Sequence, residues 1–182
     1  MALLATIKNW FRGANHLRNR ALSVETVAGG VEYRLATLED IPTFLAIERN
    51  VYQGESPWTY SHFAREITGS PLSFFLVAVK NSVIIGFIGV RASLRLTDFH
   101  ISNFAVLLDE QKQGVGSKLM QQIEKLARES GGKVLSLETP RANQDAQGFY
   151  RKFGFETKEI LTGYYETGVD AVTMEKQLTK ND

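Results

Sequence analysis

Residues 103–119, NFAVLLDEQKQGVGSKL, decide the fold. Asn103 to Val106 is the end of a strand, Leu107 to Gln113 a polar loop, and Gly114 and Gly116 open a helix whose Leu119, Ile123 and Leu126 share one face. Residues without a β-carbon let the backbone approach a ligand and leave its N–H groups accessible. Added to the positive end of the helix dipole, those groups form an anion site that a pyrophosphate fits. Gln111 orders the loop or donates from its side chain, and Lys112 adds charge. The run is neither a P-loop, lacking a Gly-Lys-Ser/Thr ending, nor a full GxGxxG dinucleotide fingerprint. On these residues alone, an ordinary tight turn is the alternative to a phosphate cradle.

Outward from this stretch the chain alternates between the two periodicities. Val31 to Ala36 reads as a first strand, and Thr37 caps a helix with Asp40 three residues later and Pro42 in its first turn. A loop from Gln53 to Tyr60 holds Gly54, Pro57 and Trp58, and Ser61 caps a short helix to about Thr68. Ser73–Val79 and Val83–Val90 flank the turn Lys80-Asn81-Ser82, a hairpin signature, and Arg95–Val106 continues as a strand. Downstream, Val115–Ala127 is a helix, Lys133–Leu137 a strand, Ala142–Phe153 a helix, and Phe155–Thr162 and Ala171–Leu178 two last strands. This order predicts an α/β sheet with helices on both faces.

The chain has 182 residues, 43% hydrophobic and 23% charged, which fits one folded domain and excludes disorder as its main state. A net charge of +1 gives no bulk attraction to nucleic acid. The absence of cysteine excludes a disulfide framework, a thiolate metal site and a cysteine nucleophile, and fits a reducing cytoplasm. His16, His62 and His100 have no metal-ligand spacing, so no metal is expected. Ser136 lacks a GxSxG elbow. Before the first acidic residue, Glu25, stand Lys8, Arg12, Arg18 and Arg20; without these four the net charge of +1 becomes −3. Leu3, Ile7, Trp10, Ala14, Leu17 and Ala21 recur at helical spacing. Residues 1–30 are therefore expected to be an amphipathic basic helix, over about 1–22, and a linker. That helix lies on a membrane surface, docks a partner, folds back on its own domain or pairs in a homodimer. Residues 31–182 form the domain, as a monomer or homodimer. No apolar run is long enough to span a bilayer.

Gln111-x-x-Gly114-x-Gly116 after Phe104-Ala105-Val106 resembles the coenzyme-A-binding signature of the GNAT acetyltransferase superfamily. Leu137-Glu138, Asn143 and the run Gly148 to Phe155 resemble its second conserved block, and Tyr33 to Ala36 with Asp40-Ile41-Pro42 its first strand and helix. The likeness covers roughly residues 31 to 179. Within the superfamily, Ile47-Glu48-Arg49, Pro57-Trp58, Leu137-Glu138, Tyr164-Tyr165 and Asp170-Ala171 resemble bacterial ribosomal-protein alanine N-acetyltransferases. Two departures stand out: Leu108 replaces a usual proline, and Thr139-Pro140 replaces the valine and arginine that commonly follow the glutamate.

The resemblance implies a GNAT-type fold, a mixed and mostly antiparallel central sheet with helices on both faces. It implies transfer from acetyl-CoA to a protein's N-terminal amine by direct attack in a ternary complex. A polyamine or aminoglycoside is the alternative acceptor, and a non-catalytic CoA-binding regulator the alternative class. The implied cofactor-binding residues are Phe104, Ala105, Val106, Gln111, Lys112, Gln113, Gly114, Val115, Gly116, Ser117 and Asn143, with the Val106 N–H serving the thioester oxyanion. Glu138 is the implied base, its pKa raised by partial burial, and Tyr150 the implied proton donor to the thiolate. Read as residues alone, Glu138 equally fits an ion pair with Arg141 or another cation, Asn143 a helix N-cap, and Tyr150 a core ring. Trp58, Tyr164 and Tyr165 either contact a peptide substrate or act as core lids.

Overall fold

In a computed structural model, residues 25–27, 30–165 and 168–178 are described; the predicted basic helix at 1–22 lies outside them. Eight strands form one sheet, ordered β1-β2-β3-β4-β5-β6-β8-β7. They are β1 (Glu25–Val27), β2 (Val31–Leu35), β3 (Ser73–Lys80), β4 (Val83–Ala92), β5 (Asp98–Val106), β6 (Val134–Pro140), β7 (Glu156–Leu161) and β8 (Ala171–Gln177). Every neighbouring pair is antiparallel except β5–β6, which is parallel. The helices are α1 (Ile41–Val51), α2 (Tyr60–Thr68), α3 (Val115–Glu129) and α4 (Gln144–Lys152). Residues 25–27, read from sequence as linker, instead pair with β2.

The predicted helix starts are shifted by local capping. Thr37 and Asp40 cap a single 3-10 turn, Leu38–Asp40, which α1 continues with Pro42 in its first turn. Arg34 grips Asp40 with two hydrogen bonds, at 2.7 and 2.9 Å. Thr59, not Ser61, caps α2: its Oγ1 accepts from the His62 N–H at 3.3 Å. The Lys80–Val83 turn is a hairpin as expected, with Asn81 and Ser82 both at positive φ (50° and 65°), the geometry that matches strand twist.

Two apolar layers lie on the two faces of the sheet. On one, Phe44 and Ile47 of α1 and Phe63 of α2 cover Phe75, Val77, Phe87 and Ala105. Phe44 stacks on Phe87 with centroids 4.4 Å apart and meets Phe63 edge-on at 5.4 Å. On the other, Leu119, Met120 and Ile123 of α3 and Tyr150 of α4 cover Ile88, Phe99, Ile101, Leu135 and Leu137. On that first face α2 meets β3, and α1 meets β4 and β5.

The first layer is close-packed at Gly89, where an added Cβ would meet the Phe75 ring at 2.4 Å. Gly89→Ala is expected to destabilise by about 1–3 kcal/mol through overpacking, read as a lower urea midpoint with unchanged slope. An unchanged midpoint would contradict the packing described.

Candidate active site

The site begins with one extra residue. Val90 pairs with Ile101 and Gly89 with Asn103, so Ser102 forms a bulge in β5. The parallel pairing of β5 with β6 stops there too, at Ile101 opposite Leu137, although both strands run on to Val106 and Pro140. A gap between β5 and β6 results. Ser102 Oγ is buried at the bulge without a hydrogen-bond partner. Leu107 N–H donates to the Ile85 carbonyl at 2.9 Å, which makes Gly86–Val106 a non-hydrogen-bonded pair. The Val106 N–H and C=O therefore turn from β4 toward the gap. Gln111 Nε2 donates to that carbonyl at 3.0 Å, so Gln111 orders the loop as one of its two readings held.

The two glycines of the loop act differently. Gly114 is the N-cap of α3 at φ 87° with open space around it, and Lys112 is also left-handed at φ 60°. Gln113 Nε2 donates to the Asp109 carbonyl at 2.7 Å and fixes the loop between them. Lys118 N–H is the donor that closes on the Gly114 carbonyl, at 2.9 Å. The N–H groups of Val115, Gly116 and Ser117 precede it and have no acceptor within the helix. Gly116, in contrast, faces inward: an added Cβ would lie 3.2 Å from the Phe104 ring, so its service is close packing of α3 on β5. Both glycines were read from sequence as serving close ligand approach; at Gly116 a side chain would in addition crowd Phe104.

Next come the residues expected to act as base and acid. Glu138, on β6, faces away from Leu135 and Leu137 and the α3 layer. Its Oε2 lies 3.2 Å from His100 Nε2 and accepts from the Tyr164 hydroxyl at 3.4 Å. The hydrogen bond with His100 holds the Glu138 carboxyl below its ordinary value, against the opposing effect of burial. This reverses the expected upward shift, because burial is outweighed by a neighbour the sequence had not placed there. Nor is Arg141 its partner: Arg141 pairs with Asp170 at 3.3 Å, and Asp170 also accepts from the Gly163 N–H at 3.0 Å, tying the end of β6 to the β7–β8 turn.

Tyr150 is buried beside Phe149 and Phe155. Burial first, then the nearby phenols of Tyr52 and Tyr165, push its pKa upward, so it keeps its proton. Tyr165, similarly raised by burial, meets Tyr164 edge-on at 5.1 Å, and Tyr164 is exposed. Asn143 Oδ1 accepts from the Ala146 N–H at 3.0 Å and so caps α4. The Trp58 ring packs on Phe63 at 5.1 Å and Phe75 at 6.1 Å, with no contact to the Tyr164–Tyr165 pair among those described.

Two residues named in the sequence were given no place at the site. Glu48, completely buried, accepts from Ser56 Oγ at 2.5 Å, Trp58 N–H at 3.2 Å and Asn103 Nδ2 at 2.8 Å, so it binds the α1–α2 loop to β5 just past the bulge. Its signal was a carboxylate on the apolar face of an amphipathic helix, where an unpaired charge is costly. His100 carried no such local signal, because its partnership depends on the parallel register of β5 and β6. Among the described residues, no group of three or more His, Asp or Glu is gathered as a metal site. No described helix is long and apolar enough to cross a membrane.

Residues 38–155 match the family model described as acetyltransferase (GNAT) family. A Bacillus subtilis protein named for alanine N-acetylation of ribosomal protein bS18 is 33% identical over 138 residues, 75% of this chain and 89% of that protein. The Mycobacterium tuberculosis N-alpha-acetyltransferase RimI is 28% identical over 143 residues, 77% of this chain and 88% of its own. Among solved structures, Ard1 from Thermoplasma volcanium superposes with a TM-score of 0.72 at 28% identity, over 83% of this chain and 99% of that one. The chain belongs to the GNAT acetyltransferase family and is an N-acetyltransferase.

The lowered pKa of Glu138 has a consequence for stability. Its carboxyl binds fewer protons folded than unfolded, so its contribution is complete above the ordinary glutamate value of 4.5 and is lost as pH falls through the lower native value. Asp40 acts in the same sense: burial raises its pKa, and the hydrogen bonds and charge of Arg34 together with the Thr37 hydrogen bonds outweigh it. Between about pH 6 and about pH 3, Glu138→Gln should therefore lose less stability than wild type, measured as urea midpoints. Parallel losses would refute the His100–Glu138 interaction as the cause.

Proposed function

We propose that this protein transfers the acetyl group of acetyl-CoA to the free α-amine of a protein N-terminus in a ternary complex, with a ribosomal protein as the acceptor class. The observation that carries the reading is the parting of β5 from β6, past which the Val106 N–H is turned from β4; Glu138 stands on β6, and both its carboxylate and the Tyr150 phenol lie within electrostatic reach of Tyr165. The names of the relatives from Bacillus subtilis and Mycobacterium tuberculosis support the N-terminal amine.

The residues present fit acetyl-CoA. The Lys112–Gly114 turn and the first N–H groups of α3 suit its phosphates. The gap edge at Phe104–Val106 suits its extended amide arm, with the NH2 side of Asn143 as a further donor. Acetyl-CoA supplies the activated acyl group. Val106 N–H stabilises the charge that develops on the thioester oxygen. Glu138 receives the proton that an α-ammonium must lose, and Tyr150 protonates the departing sulfur. The exposed Tyr164, with Tyr165 and the Trp58 loop, forms the acceptor side.

A panel of N-terminal peptides, a polyamine and an aminoglycoside should show turnover of the peptides. Glu138→Gln and Tyr150→Phe should each lower kcat/KM by roughly 10²- to 10⁴-fold, the usual weight of positioned proton transfer. Unchanged rates in both would overturn the assignment of base and acid, and acetylation of only the small amines would overturn the acceptor. Deletion of residues 1–22 should leave peptide turnover intact while abolishing any membrane or partner binding, measured by vesicle co-sedimentation and pull-down.

A further inference from the structure

Three carboxyl groups are buried among the described residues, those of Asp40, Glu48 and Glu66, and two of them face a cation. Asp40 is gripped by Arg34, and Glu66 by Arg91 with Ser73 Oγ as a further donor. Glu48, the most deeply buried at 0% exposure, is held by neutral donors instead. It stands on α1 among Phe44, Ile47 and the other members of the first apolar layer. A hydrophobic side chain of similar size would fill that place without the cost of desolvating an ionisable group. Stability is therefore not what Glu48 supplies there; what it supplies is a fixed distance.

Its two oxygens serve different elements. Oε2 accepts from Ser56 Oγ and, at 3.2 Å, from the Trp58 N–H, both in the α1–α2 loop. Oε1 accepts from Asn103 Nδ2 on β5 at 2.8 Å. Two residues farther along α1, Asn50 Oδ1 accepts from the Leu108 N–H at 3.0 Å. The helix thus grips β5 and its exit on either side of Phe104–Leu107, the stretch proposed to receive the acyl donor. The loop tied to it starts at Tyr52, the C-cap of α1. Burial first, then the Tyr52 phenol, raise the Tyr150 pKa, and Tyr52 adds to that of Tyr165 after burial, Tyr164 and Glu138. The start of the loop therefore stands within electrostatic reach of both phenols.

We propose that Glu48 is a positioning residue for the acceptor: one oxygen holds the α1–α2 loop, the other holds β5, and the span between them fixes where the acceptor lies against the acetyl group. The inference rests on the acceptor entering beside the α1–α2 loop, as read above, and not on its being a peptide. Glu48 touches neither substrate, and no proton moves through it. Breaking the tie lets the loop shift from β5, so the acceptor is held loosely while acetyl-CoA, seated on β5 and α3, binds as before.

The tie can be broken and remade by exchanging donor and acceptor. Asn103→Asp removes the amide donor and sets a second carboxyl group against Glu48. Glu48→Gln added to it supplies an NH2 for that carboxyl group, while the new amide oxygen still accepts from the loop. Ser56→Ala, at a half-buried loop position, removes one loop donor and leaves the buried carboxyl in place. KM and kcat are measured for whichever acceptor of the panel above has the highest kcat/KM, together with the Kd of acetyl-CoA and the urea midpoint. Asn103→Asp should raise the acceptor KM by about 10-fold, the weight of about one lost hydrogen bond, and Ser56→Ala by a smaller factor. The double variant Asn103→Asp with Glu48→Gln should return to within about twofold of wild type. The Kd of acetyl-CoA should stay within about twofold throughout.

An unchanged acceptor KM in Asn103→Asp, no recovery in the double variant, or an equal rise in the Kd of acetyl-CoA would overturn the proposal. A lowered urea midpoint with no change in acceptor KM gives Glu48 a purely structural role and overturns it as well. Should Asn103→Asp fail to fold, Ser56→Ala decides: an acceptor KM equal to that of wild type there sinks the tie. Turnover of small amines alone would sink the peptide reading instead, with the same comparison of KM, made on the small amine, still deciding on Glu48.

Discussion

An ordinary parallel strand pair would satisfy its backbone N–H and C=O groups by running in register to its end, and β5 and β6 do not. Ser102 puts one residue too many into β5, and the two strands part. The energetic loss is that of several ladder hydrogen bonds, each worth about 1 kcal/mol net. It is tolerable because both flanks are rigid: the antiparallel pairing of β5 with β4 continues on one side, and that of β6 with β8 on the other. Everything else at the site follows from that parting. The Val106 amide turns to the gap, Glu138 projects beside it, and Tyr150 is buried near the phenols of Tyr52 and Tyr165.

The two ionisable groups at the gap are displaced in opposite directions by different physics. Glu138 is favoured as a carboxylate because a specific partner, His100, outweighs the cost of burial. Tyr150 is favoured as a phenol because it is buried without a cation to offset it. A carboxylate that holds its charge orients and attracts an ammonium better than it retains a proton.

Much of the fold was legible. The strand and helix periods along the chain, the Lys80-Asn81-Ser82 turn and the glycine at the start of α3 lie where alternation and turn chemistry put them, with ends displaced by a few residues. The start of α2 was missed because Thr59 and Ser61 are both good caps, and only the backbone decides between them. The candidate site was legible where its chemistry is local, as in Gln111 to Ser117. It was illegible where side chains meet through strand register: His100 with Glu138, Asn103 with Glu48, Arg141 with Asp170. Gly116 shows the intermediate case, in which the residue type was correctly marked but the neighbour that demands it, Phe104, stands on another element.

The tie between Arg141, Asp170 and Gly163 lies at the end of β6 and in the β7–β8 turn, whereas the Lys112–Gly114 turn leads into α3. The two halves share the sheet but few side chains. If the acceptor enters beside the β7–β8 turn, as proposed, substitutions there reshape which amine is admitted while leaving the acyl-donor cradle untouched. A scaffold divided in this way can acquire new acceptors by drift in one short turn, and the aromatic pair it carries is the natural place for relatives to diverge.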